Sequence, residues 1–429
     1  MNGKIVVLPD SLTSKIAAGE VVERPASILK ELLENALDAG ASDISIELEK
    51  GGCGSIKVVD SGVGIDHSQV PLAFERFATS KIYEFDDIYK VRSYGFRGEA
   101  LPSIAAISRV EMVTRQQSSL SGTRVIVEAG QVKTIDYTGC PVGTSVLVSN
   151  IFDPVPVRKK FLKTEGTEQA YCMDVITRMA LSHPEIRIKV SSRGREILNI
   201  PATGNISERI SLVLGTDFSD QMIPVKGRKA GITLTGFASK PEHSRSSTKH
   251  IFFYVNKRFV KDYLLNHAVM TAYRHVIESK RYPAAVIYVD IPTEDVDVNV
   301  HPAKMEVRFR NPRTIYDIVT EALVSALSAI GPRVSEEKGR LMPEGYSQRV
   351  QEALRRYTIS MGSGKLLFSK SDDDAKMPGA ARGKLQDDDK DVVRVQRSQE
   401  GSDEEQEIAK QRLDFTDLEY IGQIAGTYL

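Results

Sequence analysis

The sequence predicts an α/β (α+β) protein in which a helix layer covers a mixed, mostly antiparallel sheet and a second, smaller α/β unit follows. Three observations predict this. Short alternating segments recur in pairs separated by glycine-rich turns, as in hairpins. Helical periodicity opens the chain and returns between the strands. At 429 residues the chain is also too long for one ordinary core.

Residues 11–22 and 25–39 read as helices. Pro25 sits in the first turn of the second, where a missing N–H costs little, and Gly40 closes it as a C-cap. "DISIEL" (43–48) and "SIKVVD" (55–60) alternate as strands around a hairpin-like "EKGGCG". A helix is expected around 70–78, then a polar loop, then a helix over 98–108. Strands follow at "RVEMVT", "TRVIVEA", "VKTIDY" and "TSVLVSN". In the second unit, strands are expected at "GITLTGFA", "HIFFYVN" and "AAVIYVDI", with helices at 262–278 and about 313–330. The predicted domains are 1–205 and 206–331, then a flexible linker over 332–415. Residues 416–429 turn strand-like again.

Composition narrows the class. Hydrophobic content of 41% and charged content of 27% are those of a globular protein. Cys53, Cys140 and Cys172 lie far apart without a CxxC, so neither a disulfide framework nor a zinc site is expected. The opening segment lacks the apolar core of a signal peptide, and no apolar run is long enough for a bilayer. A cytoplasmic location with no membrane partner is therefore expected. The net charge of zero conceals an asymmetry. From Lys226 to Arg281 there are 12 Lys/Arg against 3 Asp/Glu, and from Asp372 to Glu407 there are 6 against 12. The first is a basic folded surface; the second is too polar to fold alone.

Five motifs carry chemistry. On the helix over 25–39, Glu31, Asn35 and Asp38 fall at i, i+4 and i+7 on one polar stripe, opposite Ile28, Leu29, Leu32, Leu33, Ala36 and Leu37. A carboxylate there can act as a base and an amide oxygen can ligate a hard cation. Next, "VVDSGVGI" delivers Asp60 from a strand end into a loop with Gly62 and Gly64, which allow a flat ligand to approach the backbone. Third, "YGFRGEAL" places Gly95 and Gly98 around Phe96 and Arg97 just before a helix, a phosphate-binding arrangement. It is neither a GxxxxGK[ST] loop nor a GxGxxG after a strand, which excludes the P-loop and Rossmann readings. Fourth, Gly143-Thr144 enters a strand and can present a hydroxyl. Last, Lys304 follows His301-Pro302 in a tight loop within "VDVNVHPAKMEVRF". Taken singly, a solvated helix face, a turn, a C-cap glycine, a hairpin and a surface lysine account for these at least as well, and for the helix stripe, the hairpin and the lysine they account better.

In this order and spacing, however, "IAAGEVVERPASILKELLENALDAGA", "DSGVGI", "FATSKI", "GFRGEALPSIAAIS", "GTSVLV" and "VDVNVHPAKMEVRF" together resemble the MutL family of DNA mismatch repair ATPases. That family belongs to the GHKL superfamily, with gyrase B, HSP90 and sensor histidine kinases. The resemblance covers about residues 1–331. The closing "YIGQIAGTYL" is similar to the first strand of the family's C-terminal dimerisation domain, so a chain ending just inside that domain is expected.

The resemblance implies a GHKL α/β sandwich, a ribosomal S5-like second domain, and ATP with Mg²⁺ as ligands. It implies Glu31 as the general base, Asn35 as the Mg²⁺ ligand and Asp60 as the adenine reader. Thr79 and Lys81 fall in the nucleotide pocket. Gly95, Phe96, Arg97, Gly98, Glu99, Ala100 and Leu101 match the phosphate lid. Thr144 lies on the base side, and Lys304 reaches the terminal phosphate from the second domain. It further implies slow hydrolysis, a homodimer on ATP binding, and sequence-independent binding of single- or double-stranded DNA. A MutS-like mismatch-recognition protein and a downstream nuclease or helicase are the expected partners. Lys257, Arg258 and Lys261, around the aromatic "HIFFYVNKRF", are the expected DNA contacts. Phe77 replaces a usual histidine, Pro154 and Val157 are unusual, and Tyr263 stands where some relatives carry an arginine linked to DNA. A topoisomerase subunit is disfavoured because "SDDDAK" sits in low-complexity sequence rather than an acidic catalytic cluster. A histidine kinase is disfavoured for want of a phosphoacceptor helix. A DNA-binding scaffold in which hydrolysis is dispensable stays open.

Overall fold

The computed structural model describes residues 7–82, 84, 93–95, 97–297, 307–330, 346–360, 423–424 and 427–428. Two helices open it, α1 (Asp10–Val21) and α2 (Pro25–Asp38). Strands β1 (Asp43–Glu49) and β2 (Ser55–Asp60) come next, then α3 (Ala100–Ala106). Four strands follow: β3 (Arg109–Arg115), β4 (Gly122–Glu128), β5 (Gln131–Thr138) and β6 (Gly143–Ser149). A single turn α4 (Pro156–Lys159), the long α5 (Glu165–Ser182), β7 (Arg187–Ser192) and β8 (Arg195–Ile200) complete the first unit.

Its eight strands run in the order β5-β4-β3-β6-β2-β1-β7-β8, and only the β1–β7 pair is parallel. Alternation sets the faces: Ile56 and Val58 of β2 are buried, while Lys57 and Val59 turn away. The apolar side of α2, Ile28, Leu29, Leu32, Leu33 and Ala36, packs into the same core. Pro25 begins α2, and its end is a Schellman turn. There Gly40 N–H donates to Leu37 O (2.9 Å) and Ala41 N–H to Ala36 O (3.1 Å).

The second unit begins with α6 (Ile206–Leu214) and the turn α7 (Thr216–Ser219). Its strands are β9 (Met222–Lys229), β10 (Ile232–Ser239), β11 (Ile251–Val255) and β12 (Arg258–Val260). Then come α8 (Tyr263–Tyr273), β13 (Ala285–Asp290), the short pair β14 (Val296–Asp297) and β15 (Arg308–Phe309), and α9 (Pro312–Ser328). The sheet order is β12-β11-β13-β10-β9, with α8 and α9 packed on one face. A third cluster joins the two units. Leu181 from the end of α5 meets Ile210, Phe218, Phe252, Tyr254 and Val286. Across this seam Tyr254 OH donates to Arg178 O (2.9 Å) and Tyr288 OH to Leu181 O (2.7 Å).

Two expectations need correction, and one stretch was not anticipated. The helix around 70–78 is instead two single turns, His67–Gln69 and Leu72–Phe74. Asp66 caps the first through Ser68 N–H, and Glu75 then leaves in an extended conformation. Phe77, at φ 65°, turns the chain so that its N–H reaches Gly98 O at 3.0 Å. Tertiary hydrogen bonding wins there over helical periodicity. Second, the stretch read as linker contains a helix, α10 (Tyr346–Ser360), whose Val350, Ala353 and Tyr357 are buried in the second core. The stretch over α5, β7 and β8 carries no expectation from sequence. The buried stripe of α5 includes Glu168 and Cys172, which blur its apolar period. Beyond residue 369 the described residues form only a two-strand hairpin, Gln423–Ile424 with Thr427–Tyr428.

Candidate nucleotide-binding site

Asp38, at the last turn of α2, organises the site. Its side chain is only 8% exposed and holds three donors. Lys81 Nζ lies 2.5 Å from Oδ2, Tyr94 N–H donates to Oδ1 (2.8 Å) and Gly95 N–H to Oδ2 (3.1 Å). The same Lys81 ammonium donates to Asn35 Oδ1 at 3.1 Å, one turn earlier on α2. Space here is tight, since a Cβ at Gly95 would lie 3.2 Å from Lys81 Nζ. Thr79 Oγ1 accepts from Lys81 N–H (3.2 Å) and fixes the turn that carries the lysine. The stripe expected on α2 therefore meets both the 79–81 segment and the start of the glycine-rich segment.

Glu31 and Glu34 differ in the same helix. Glu34 is buried and lies 2.8 Å from Lys30 Nζ, whereas Glu31 is 20% exposed with Lys30 at 3.2 Å. Burial works against the Lys30 charge, but Glu34 and Glu31 outweigh it and raise its pKa. Glu31 is thus the carboxylate with access to solvent.

Asp60 ends β2 and pairs in register with Thr144 of β6, which pairs in turn with Thr114 of β3. Asp60 Oδ1 accepts from Gly62 N–H at 2.8 Å. Burial raises the Asp60 pKa, and hydrogen bonds from Gly62 and Thr144 backbone oppose the rise. Thr144 Oγ1 lies 3.0 Å from Thr114 Oγ1, which also accepts from Ile65 N–H (2.9 Å) and so ties down the 62–65 loop. Gly64 has φ 71°, and a Cβ there would stand 2.1 Å from Arg115 O, so only glycine fits.

The segment after Gly95 is positioned by its second glycine. Gly98 has φ 63°, and a Cβ would meet Ala78 O at 2.3 Å. Glu99 faces Arg76 at 3.7 Å, Ala100 begins α3, Leu101 packs on the first core, and Arg97 is exposed. Phe96 and Lys304 lie outside the described residues. Phe77 is 70% exposed, with Arg76 over its ring.

The basic residues around β11–β12 divide. Lys257 is exposed and pairs with Glu185 at 3.1 Å. Lys261 is exposed at the entry to α8, and burial with the neighbouring Arg178 lowers its pKa. Arg258 is a correction. It is 8% exposed, its Nη2 donates to Ser93 O, and its guanidinium lies over the Tyr94 ring, so it does not face solvent. At Tyr263 the hydroxyl accepts from Arg356 of α10 at 3.3 Å. Sequence reasoning assigned no role to Asp38, although its place on the α2 stripe was visible. Tyr94 opens the glycine-rich motif without a role of its own, and Ser93, His183 and Glu185 gave no sequence signal, because tertiary contact alone brings them together.

The sheet, the α2 stripe and the two glycine loops define an ATPase domain of the GHKL class. Residues 20–131 match the family model for histidine kinase-, DNA gyrase B- and HSP90-like ATPases, and residues 210–328 match that for the DNA mismatch repair protein C-terminal domain. Among curated relatives, the DNA mismatch repair protein MutL of Syntrophus aciditrophicus (strain SB) is 57% identical over 378 residues, covering 86% of this chain and 61% of the relative. MutL of Geotalea uraniireducens (strain Rf4) is 44% identical over 329 residues, covering 77% and 54%. The N-terminal domain of a DNA repair protein superposes with a TM-score of 0.64 at 27% identity, over 74% of this chain and 98% of that one. The Aquifex aeolicus MutL ATPase domain complexed with ADP gives 0.50 at 29% identity, over 63% and 93%. The chain belongs to the MutL family of DNA mismatch repair proteins. It spans about three fifths of the length of the first of these relatives.

Proposed function

We propose that this chain is the nucleotide-driven part of a mismatch-repair clamp, which binds ATP, hydrolyses it slowly and closes as a homodimer while ATP is bound. One observation carries the reading: Asn35, Asp38, Lys81 and Gly95 meet at one spot on the helix that bears Glu31. A cationic side chain, an amide oxygen and glycine backbone at that spot suit a triphosphate and its metal.

Asp60, with one oxygen on Gly62 N–H, takes the exocyclic amine of adenine, and Thr144 stands beside it on the base side. Glu31 accepts a proton from the water that attacks the terminal phosphate, and the bond to ADP breaks as inorganic phosphate forms. Glu34 is the poorer base because burial and Lys30 hold it. The donor set fits Mg²⁺. Asn35 and Asp38 already gather an ammonium between their oxygens, so the spot accepts a cation. Asn35 Oδ1 would hold the ion, which when bound neutralises charge on the phosphates. Lys81 then turns from Asn35 towards phosphate. Gly95 to Leu101 wrap the phosphates, and Lys304 reaches the last of them from the second unit, as the family resemblance implies.

The second unit supplies a DNA surface. Lys226, Arg228, Arg245, Lys249, Lys257 and Lys261 are exposed there and can hold phosphate backbone without reading sequence. A MutS-like recognition protein and a downstream nuclease or helicase are the partners this role requires. Glu31→Ala tests the chemistry. Hydrolysis is expected to fall about 10²–10⁴-fold, the usual worth of a general base, while ATP affinity stays near the wild-type value. Hydrolysis at the wild-type rate would remove Glu31 from the role of base.

A further inference from the structure

The segment that leads into the phosphate-binding glycines is gripped from two sides. From the first unit, Asp38 accepts from Tyr94 N–H (2.8 Å) and Gly95 N–H (3.1 Å). From the second unit, the turn between β11 and β12 meets the same residues. Arg258 Nη2 donates to Ser93 O, its guanidinium lies 5.3 Å from the Tyr94 ring centroid, and Tyr94 OH donates to Lys257 O at 3.1 Å. Tyr94 OH also lies 2.6 Å from His183 Nε2.

The gripping turn is itself rigid. It is a two-residue hairpin in which Asn256 (φ 49°) and Lys257 (φ 67°) both adopt left-handed conformations, with Val255 paired to Arg258. Asn256 bolts it to the end of β13. Its N–H donates to Val289 O (3.0 Å), its amide donates to Ile291 O (2.9 Å), and Ile291 N–H returns a bond to its Oδ1 (2.9 Å). Arg258 is therefore presented by a fixed platform and is almost wholly buried. A cation buried at this depth on a carbonyl and a ring is a precise positioning device.

We infer that Arg258 is a positioning residue for the nucleotide site. Through Ser93 and Tyr94 it sets the backbone that Asp38 holds, and Asp38 shares Lys81 with Asn35. The second unit thus acts on ATP affinity through this joint, by a route separate from Lys304. The inference rests on the ATP reading above.

The test uses the whole chain with Arg258→Ala, Arg258→Lys and Tyr94→Phe. Arg258→Ala is expected to raise KM for ATP about tenfold, the factor that about 1.4 kcal/mol gives, with a smaller fall in kcat. Arg258→Lys, which keeps one donor for Ser93 O, recovers part of the loss, and Tyr94→Phe falls between. Without nucleotide, Arg258→Ala should speed hydrogen exchange at the Tyr94 and Gly95 amides while those of β10 and β13 stay protected. An unchanged KM would overturn the inference. So would exchange rising evenly through the second unit, which marks a merely structural arginine. A wild-type chain that binds no ATP would overturn the parent reading before any variant is made, and this inference with it.

Discussion

His183 illustrates how single residues couple the two units. Burial lowers its pKa from 6.5, Glu185 opposes the shift, and Lys257 and Arg209 add to it. The folded protein therefore prefers neutral imidazole. As pH falls through 6.5, the unfolded chain takes up the proton first, and stability is lost until the lower folded pKa is passed. His250 and His267 are also lowered, chiefly by burial, and act in the same direction. The thermal midpoint should fall between about pH 7.5 and about pH 5.5, and His183→Gln should flatten that slope. A midpoint constant over this range would show that His183 takes up its proton in place. Arg209 beside it is structural. It is fully buried, it donates to the carbonyls of Ala180, Pro201, His183 and Ile186, and burial brings its pKa down to about 10. Little of this was legible in sequence. Glu31, Asn35 and Asp60 stood out because spacing and strand ends announce them. His183 did not, and the joint that it, Tyr94 and Arg258 form was hidden, because they lie far apart in the chain and meet only through folding. Arg258 also resembled its exposed neighbours, since charge alone says nothing of depth.

Among the elements, strands with clean alternation were read within a residue or two, as β2, β3 and β6 show. The failures lie where tertiary contact overrides local pattern, at residues 70–78 and at α10. The latter helix offers only a sparse apolar row, and its other positions are polar enough to resemble linker. Its docking is nonetheless specific. Tyr357 OH donates to Val307 O (3.0 Å) and accepts from Phe309 N–H (3.0 Å), so α10 clasps β15. Val350, 1% exposed, is buried in the second core with Ala353 and Tyr357. Val350→Asp buries an unpaired carboxylate and should cost at least about 2 kcal/mol or release the helix. Limited proteolysis checks this, since cleavage within 346–360 should accelerate in the variant. Equal resistance in variant and wild type would mean that α10 does not depend on this contact.

Across the whole molecule, two cores share a third cluster at the seam, and the joint at Ser93–Gly95 lies beside it. A change at the Asp38–Gly95 spot therefore has a packed route into the second unit, with its exposed basic surface. This arrangement suits a switch more than a motor. The general architecture was legible because alternating strands, capped helices and glycine loops follow local rules. The seam was not, because no local pattern says which faces of the two units meet. ATP is proposed above to drive this chain into a dimer. Sedimentation of the whole chain with and without a non-hydrolysable ATP analogue and Mg²⁺ tests it most directly. A monomer is expected without nucleotide and a dimer with the analogue; a chain that binds the analogue yet stays strictly monomeric would rule out the nucleotide-driven clamp.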